Sequence, residues 1–248
     1  MANDYQNAVK WLLKSAEAGY VMSQKLLASL YGLQLMSEES AYWYHKAAEQ
    51  GDAEAQCSLG FYYSIGEGVE MDDEKAADLY EKSAAQGNAY AQYKLGCCYR
   101  DGDGVEQSHE KAREWFLRGA VQGNSDAQRS LGNVYYYGKG VEVDYAKAFE
   151  WLKKAADQGD DSAQCTVGWC YDTGNGVAKN YETAQYWYGK SAEQDNARAM
   201  FYLGWSYEYG RGVQKDFALA CKWYKMAADK GDKDASKRYN ELKAKGSL

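Results

Sequence analysis

The chain has 248 residues, with 36 acidic against 29 basic side chains, a net charge of −7, 24 tyrosines, eight tryptophans and no proline. The acidic balance argues against nucleic-acid partners, because phosphate binding needs a clustered basic surface. The lack of proline, which breaks helix interiors, agrees with a nearly all-helical chain, and no run of residues is apolar and long enough to suggest membrane insertion.

The first segment, MANDYQNAVKWLLKSAEAGY, has neither an uninterrupted apolar stretch nor a cleavage site, so a signal peptide is not expected and the chain as written reads as cytoplasmic. A longer natural N-terminus would leave a periplasmic or secreted location open. Within it, Asp4 is the expected N-cap of a helix carrying Ala8, Trp11, Leu12 and Ala16 on one face. Residues 1–20 thus form half of a helix pair, either a natural cap or the cut edge of a longer repeat array.

Residues 21–51 form a degenerate unit. Its connecting loop is short, LQLMSEES is expected to bridge the helices, and the second helix is expected over Ala41–Gln50.

Five regular units follow, at 52–87, 88–123, 124–159, 160–195 and 196–231. Leu59–Gly60, Leu95–Gly96, Leu131–Gly132, Val167–Gly168 and Leu203–Gly204 recur every 36 residues, a spacing that marks a solenoid of stacked supersecondary units. The stretch Ala127–Gly159 shows the unit whole. Ala127, Leu131 and Tyr135 fall at i, i+4 and i+8, on one face of a helix expected over Ser125–Tyr137. Equivalent helices are expected over Ala53–Ile65, Ala89–Asp101, Asp161–Thr173 and Ala197–Tyr209. The glycine after Leu lets a partner helix approach. Its cost of up to about 1 kcal/mol in helix propensity implies a return in packing.

Each first helix runs into a Gly-x-Gly-Val loop, at Gly66–Val69, Gly102–Val105, Gly138–Val141, Gly174–Val177 and Gly210–Val213. The glycines suit a C-cap and a turn at positive φ, and the valine is expected to plug the core. Three residues later Asp72, Ser108, Asp144, Asn180 and Asp216 are N-cap types for the second helix. These helices carry Ala76, Ala112, Ala148, Ala184 and Ala220, with Trp115, Trp151, Trp187 and Trp223. Most end in Gly followed by Asp or Asn, and Asp195 replaces that glycine at an expected left-handed position. Residues 232–248 begin one more first helix but turn charged, as a solenoid's terminal cap should.

Ala55, Leu59, Gly60, Tyr63, Gly66, Gly68, Val69, Asp72, Ala76, Tyr80 and Ala84, with their equivalents in four more units, match the pattern AxxxLGxxYxxGxGVxxDxxKAxxWYxKAAxQG. The chain therefore resembles the Sel-1-like repeat (SLR) family, relatives of the tetratricopeptide repeat, over nearly all its length. The resemblance implies an all-α, right-handed α-α solenoid, one domain over 1–248, and a non-catalytic adaptor that binds a protein or peptide.

Residues that hint at chemistry have simpler readings. Gly189-Lys190-Ser191 ends like a phosphate-binding loop, but Ala184 stands where that loop needs glycine and the tripeptide falls inside a helix. Asp101-Gly102-Asp103-Gly104 lacks a calcium loop's ligand ladder. His45 and His109 have no second ligand at helical spacing, so no metal, cofactor or catalytic group is expected. Cys57, Cys97, Cys98, Cys165, Cys170 and Cys221 show no CxxC spacing and read as free thiols. A cysteine-rich branch of the family pairs two cysteines per repeat and is associated with β-lactam binding. That pairing is absent here, which disfavours the alternative of a β-lactam-binding protein, or of a hydrolase acting through a thiol such as Cys165.

The resemblance further implies that the first helices line a concave groove. Its exposed positions would be Glu54, Cys57, Phe61 and Ser64; Tyr90, Tyr93, Cys97 and Arg100; Asp126, Arg129, Asn133 and Tyr136; Ser162, Cys165, Trp169 and Asp172; and Arg198, Phe201, Trp205 and Glu208. Unlike core positions, these change from unit to unit and mix aromatic with charged types, as binding surfaces do. The aromatic residues would anchor a partner polypeptide and the Arg and Asp residues would pair with its charges. The competing reading folds Trp169 and Trp205 sideways onto neighbouring helices as ordinary packing.

Overall fold

The computed structural model describes the backbone of residues 2–244 and the side chains of 9–244. Fourteen α-helices make up the regular structure among the described residues. They are α1 (Ala2–Glu17), α2 (Val21–Leu33), α3 (Ser37–Glu49), α4 (Ala53–Ile65), α5 (Asp73–Ala85), α6 (Ala89–Asp101) and α7 (His109–Val121), followed by α8 (Ser125–Tyr137), α9 (Tyr145–Asp157), α10 (Asp161–Thr173), α11 (Tyr181–Glu193), α12 (Ala197–Tyr209), α13 (Phe217–Asp229) and α14 (Lys233–Ala244). The fold is an α-α solenoid, and the five regular first helices begin and end where the sequence places them. The chain divides within α8 into two compact units, Met1–Ala127 and Gln128–Leu248. The proposed Asp4 cap and the contribution of Ala8 concern side chains outside the described residues.

Capping sets the helix boundaries. The side chains of Asp72, Ser108, Asp144, Asn180 and Asp216 each accept a hydrogen bond from the backbone three residues on, opening α5, α7, α9, α11 and α13. Asp52, Asn88, Asn124, Asp160, Asn196 and Asp232 do the same for the first helices. Both glycines of every loop take positive φ, and Asp195 sits at φ 67° in place of a glycine. The second loop glycine also packs tightly. A Cβ on Gly68, Gly104 or Gly176 would collide with the backbone carbonyl of Ser37, Asp73 or Tyr145, at the start of the preceding second helix.

Two expectations are corrected. The loop valines Val69, Val105, Val141, Val177 and Val213 are half-buried and border the core without plugging it. In the degenerate unit α3 starts at Ser37, four residues before the expected Ala41, so only 34–36 bridge the helices. Glu38 and Glu39 favour a helix start there. Leu35 at φ 60° makes the turn that glycines make elsewhere.

The hairpins close around the helix glycines. A Cβ on Gly168 would lie 2.6 Å from the Tyr188 ring and 3.2 Å from the Ala184 carbonyl. Gly60, Gly96, Gly132 and Gly204 face Tyr80, Phe116, Leu152 and Tyr224 in the same way. Between helices runs a second repeated device, absent from the sequence reading: glutamine pairs, each with one buried member. Gln50, Gln86, Gln122, Gln158 and Gln194 donate from Nε2 to Oε1 of Gln24, Gln56, Gln92, Gln128 and Gln164 at 2.7–2.9 Å. Gln24, Gln56, Gln92 and Gln164 in turn donate to the Ala16, Ala48, Ala84 and Ala156 carbonyls, so these buried amides are satisfied. At the next step Met200 and Lys230 replace the pair and the series ends.

Equivalent tyrosines differ in polar company. Tyr224 donates to Glu208 at 2.8 Å and the Tyr80 hydroxyl lies 3.4 Å from Ser64, but the buried Tyr188 hydroxyl has no hydrogen-bond partner. Asp172 stands where Glu208 stands one repeat later. It is one methylene shorter and is engaged by Arg211.

Two contrasts in chemical denaturation follow. Gly168→Ala should lose about 1–3 kcal/mol by overpacking, while Gly189→Ala, whose Cβ would meet nothing within 4 Å, should gain up to about 1 kcal/mol from helix propensity. Equal effects would refute the role given to the crossing glycines. Tyr224→Phe should cost about 1–3 kcal/mol by leaving Glu208 short of a donor, and Tyr188→Phe should be neutral or stabilising. A loss in Tyr188→Phe as large as in Tyr224→Phe would show that its hydroxyl has a partner in solution.

Candidate functional site

In the first unit, α4 and α6 carry the predicted positions on one face because the 36-residue repeat places them at the same helical register. Phe61 and Tyr90 remain 39% and 42% exposed, as a contact surface requires. Both line a cleft of about 680 Å³, together with Tyr44, Glu54, Cys57, Ser58, Tyr62 and Asn88. Glu54, well exposed, pairs with Lys25, which also reaches Asp52 at 3.3 Å. Ser64 bonds the Phe61 carbonyl at 2.8 Å. Tyr93 is half-buried, its ring 5.9 Å from Tyr90 and 6.2 Å from Phe116. Arg100 is taken up by its neighbour Asp101, with Nε to Oδ1 at 2.8 Å. Asp126 is half-buried in the first turn of α8.

Lys94 was absent from the sequence reading. Its ammonium lies 5.5 Å from the Phe61 ring centre, 5.5 Å from Tyr90 and 5.9 Å from Tyr93, within cation–π range of all three. The signal was present, because Lys94 follows Tyr90 by one helical turn and adjoins Tyr93.

In the second unit most predicted residues are occupied by one another. The rings of Tyr188, Tyr202 and Trp169 stack at 5.0 and 5.1 Å, and Trp205 continues the stack 6.0 Å from Trp169. The sideways packing considered from sequence is therefore what Trp169 and Trp205 adopt. The Tyr136 hydroxyl accepts from Trp169 Nε1 at 2.9 Å and from Asn175 Nδ2 at 3.0 Å. Arg129 bonds Asp160, the N-cap of α10, at 2.8 Å. Arg198 lies over Phe201 and Tyr202 and bonds Asp234 at 2.7 Å. Phe201 packs 5.5 Å from Tyr224, Asn133 is half-buried, and Ser162 is exposed.

Four expected surface residues are buried: Cys57, Cys165, Asp172 and Glu208. The cysteines are small and soft enough to fill core space. The acids are buried because cations from later repeats reach them. Arg211 Nη1 bonds Asp172 at 3.0 Å while stacking on Trp205 at 4.4 Å, and Arg238 bonds Glu208 through both Nε and Nη2. Burial alone would raise the Glu208 carboxyl, but bonds from Arg238 and Tyr224 hold it below the usual carboxylate range. Arg211 and Asn175 occupy the variable place in Gly-x-Gly, from which they reach Asp172 and Tyr136.

Burial pushes the Cys57 thiol up to about 11 and those of Cys98, Cys165 and Cys170 up to about 12, the opposite of an activated nucleophile. Among the described residues no three His, Cys, Asp or Glu side chains gather as metal ligands. Lys190 and Ser191 lie inside α11, where the Ser191 hydroxyl bonds the Asp161 carbonyl at 2.7 Å.

The family model for the Sel1 repeat matches residues 1–20, 22–52, 53–88, 89–124, 125–160, 161–196 and 197–232. The fold is similar to that of a protective antigen of uropathogenic Escherichia coli displaying an SLR fold, at TM-score 0.87 and 33% identity over 96% of this chain and 52% of the antigen. The chain thus spans about half the length of that protein. A Sel1 repeat protein from Oxalobacter formigenes is similar at TM-score 0.81 and 33% identity, over 88% of this chain and 89% of its own. Pseudomonas aeruginosa pilF, at TM-score 0.66 and 18% identity over 93% and 99% of the two chains, shares the fold alone. No functionally curated protein matches in sequence. With seven repeats matched along nearly its whole length, the chain belongs to the Sel1 repeat family, whose members are typically protein-interaction scaffolds.

Proposed function

We propose that this chain is a non-catalytic protein-interaction scaffold whose first unit holds a segment of a partner polypeptide in the cleft between α4 and α6. The observation that carries this reading is the pair of half-exposed rings, Phe61 and Tyr90, on a cleft of about 680 Å³ that no core requires. Exposed aromatic side chains beside polar groups are the usual anchors of protein interfaces. The second unit contributes differently: Trp169, Trp205, Asp172 and Glu208 are satisfied within the chain, and its contact surface is the exposed Arg198, paired with Asp234, together with Phe201 and the rim of the aromatic stack. The partner is a protein or peptide, and the scaffold needs no cofactor to hold it.

The cleft runs beside α4 from Glu54 to Tyr62, about 12 Å along the helix axis. An extended segment of about four residues covers that length. Photo-crosslinking in the host cell tests the proposal. A benzophenone amino acid at Phe61 or Tyr90 should give discrete protein adducts, and one at Glu81, exposed on α5, should not. A second substitution, Tyr90→Ala in the Phe61 crosslinker background, should reduce those adducts at least about tenfold, the loss of one hot-spot ring. Identical adduct patterns from positions 61, 90 and 81, or none from any, would reject it.

A further inference from the structure

The repeat supplies its own control for Lys94. Lys94 is the sixth residue of α6, and the sixth residue of α14 is Arg238. In the last repeat that cation meets Glu208, thirty residues earlier, in a buried ion pair. The residue thirty before Lys94 is Ser64, which is neutral and already bonded to the Phe61 carbonyl. Tyr80 and Tyr224 confirm the equivalence, because each places its hydroxyl against the residue in question, Ser64 in one case and Glu208 in the other. The fold thus holds a cation at one register in both repeats and provides the anion in only one.

The side chain is fixed all the same. Three rings hold the Lys94 ammonium at 5.5–5.9 Å, and none of them neutralises its charge. Among the described residues no carboxylate lies within ion-pair distance of it, unlike Lys25, Lys75, Lys82, Lys147, Lys153 and Lys225. The acid of this cleft, Glu54, is taken by Lys25. Beside it Asn88 uses its side-chain oxygen to cap α6, which leaves the amide Nδ2 available as a donor. The cleft therefore presents aromatic walls and an amide donor, its one acid bonded to Lys25, and the Lys94 ammonium stands over the Phe61 and Tyr90 rings that line it.

We infer that the cleft of the first unit recognises an acidic side chain, Asp or Glu, next to an aromatic or aliphatic residue of the partner segment. The carboxylate takes the place at Lys94 that Glu208 takes at Arg238, and the adjoining apolar side chain lies against Phe61 and Tyr90. This inference rests on the scaffold reading above and adds the chemistry of what is bound.

A random heptapeptide library displayed on phage, selected on the whole chain, tests it. The expected enriched sequences carry Asp or Glu beside an aromatic or aliphatic residue. Synthetic copies should bind the wild type at least about tenfold more tightly than Lys94→Met, the order expected for removing one charge-assisted contact. Lys94→Arg should keep most of the affinity, and replacing the peptide's Glu by Gln should reproduce the loss. Circular dichroism checks that the variants remain folded, and weakening of wild-type binding by added salt gives a second readout that needs no variant. Enriched peptides without an acid, or acidic ones that bind Lys94→Met as well as wild type, overturn the inference but leave the scaffold reading standing if binding still needs Phe61 and Tyr90. Peptides indifferent to Phe61, Tyr90 and Lys94, or no enrichment at all, overturn both.

Discussion

The closest approach in each hairpin is between a backbone and a ring or a branched side chain. Gly60, Gly96, Gly132, Gly168 and Gly204 leave no room for a methyl group, because Tyr80, Phe116, Leu152, Tyr188 or Tyr224 fills the space beside them. This contact fixes the distance between the two helices of a unit. It thereby fixes the register at which the pair meets the preceding helix, where Gln56, Gln92 and Gln164 bond the Ala48, Ala84 and Ala156 carbonyls. A glycine in a helix costs backbone entropy. Here the cost is offset by burying a large side chain at full van der Waals contact, since interiors gain little from surfaces held even an ångström apart.

The choice of residue at that contact reaches beyond it. A leucine or phenylalanine asks nothing of its surroundings, whereas a tyrosine brings a hydroxyl into the core. Two of the three tyrosines find an oxygen sixteen residues back, on Ser64 or Glu208, and Tyr188 finds none because Asp172 is turned to Arg211. Glu208 can serve both Tyr224 and Arg238 because its extra methylene brings the carboxylate between them. Small differences in side-chain length thus decide which repeat is fully satisfied and which carries an unpaired group.

Local features were legible in the sequence, and the fate of the variable positions was not. Helix bounds, N-caps, left-handed glycines and the Asp195 exception depend on residues within a few positions of each other, so a single strand of text contains them. The start of α3 was missed because an acidic first turn, Glu38 and Glu39, replaced the usual cap signal. Asp172 and Glu208 were misplaced at the surface for a different reason. Their partners, Arg211 and Arg238, lie 39 and 30 residues downstream, at offsets unequal to the repeat, and only the folded register brings them together. The same holds for Trp169, whose stacking on Tyr202 and Trp205 depends on how one repeat leans on the next. Phe61 stayed exposed because Tyr202 and Trp205, the rings that stack on its equivalent Trp169, are replaced by Lys94 and Cys97 in the first unit.

An acidic segment docking on a chain of net charge −7 would meet repulsion if every charge acted at full strength. The relevant charges are those within a screening length, about 8 Å at physiological salt, and the rest of the molecule is largely masked beyond it. The acid of the cleft, Glu54, already has a partner in Lys25, which it shares with the neighbouring Asp52. Lys94 has no carboxylate of its own among the described residues, and it is set between three ring faces, where an approaching carboxylate is less screened than at the open surface. The global charge then discourages loose association with polyanions, while the proposed recognition of an acid rests on Lys94, whose counterpart in the last repeat, Arg238, is paired with Glu208.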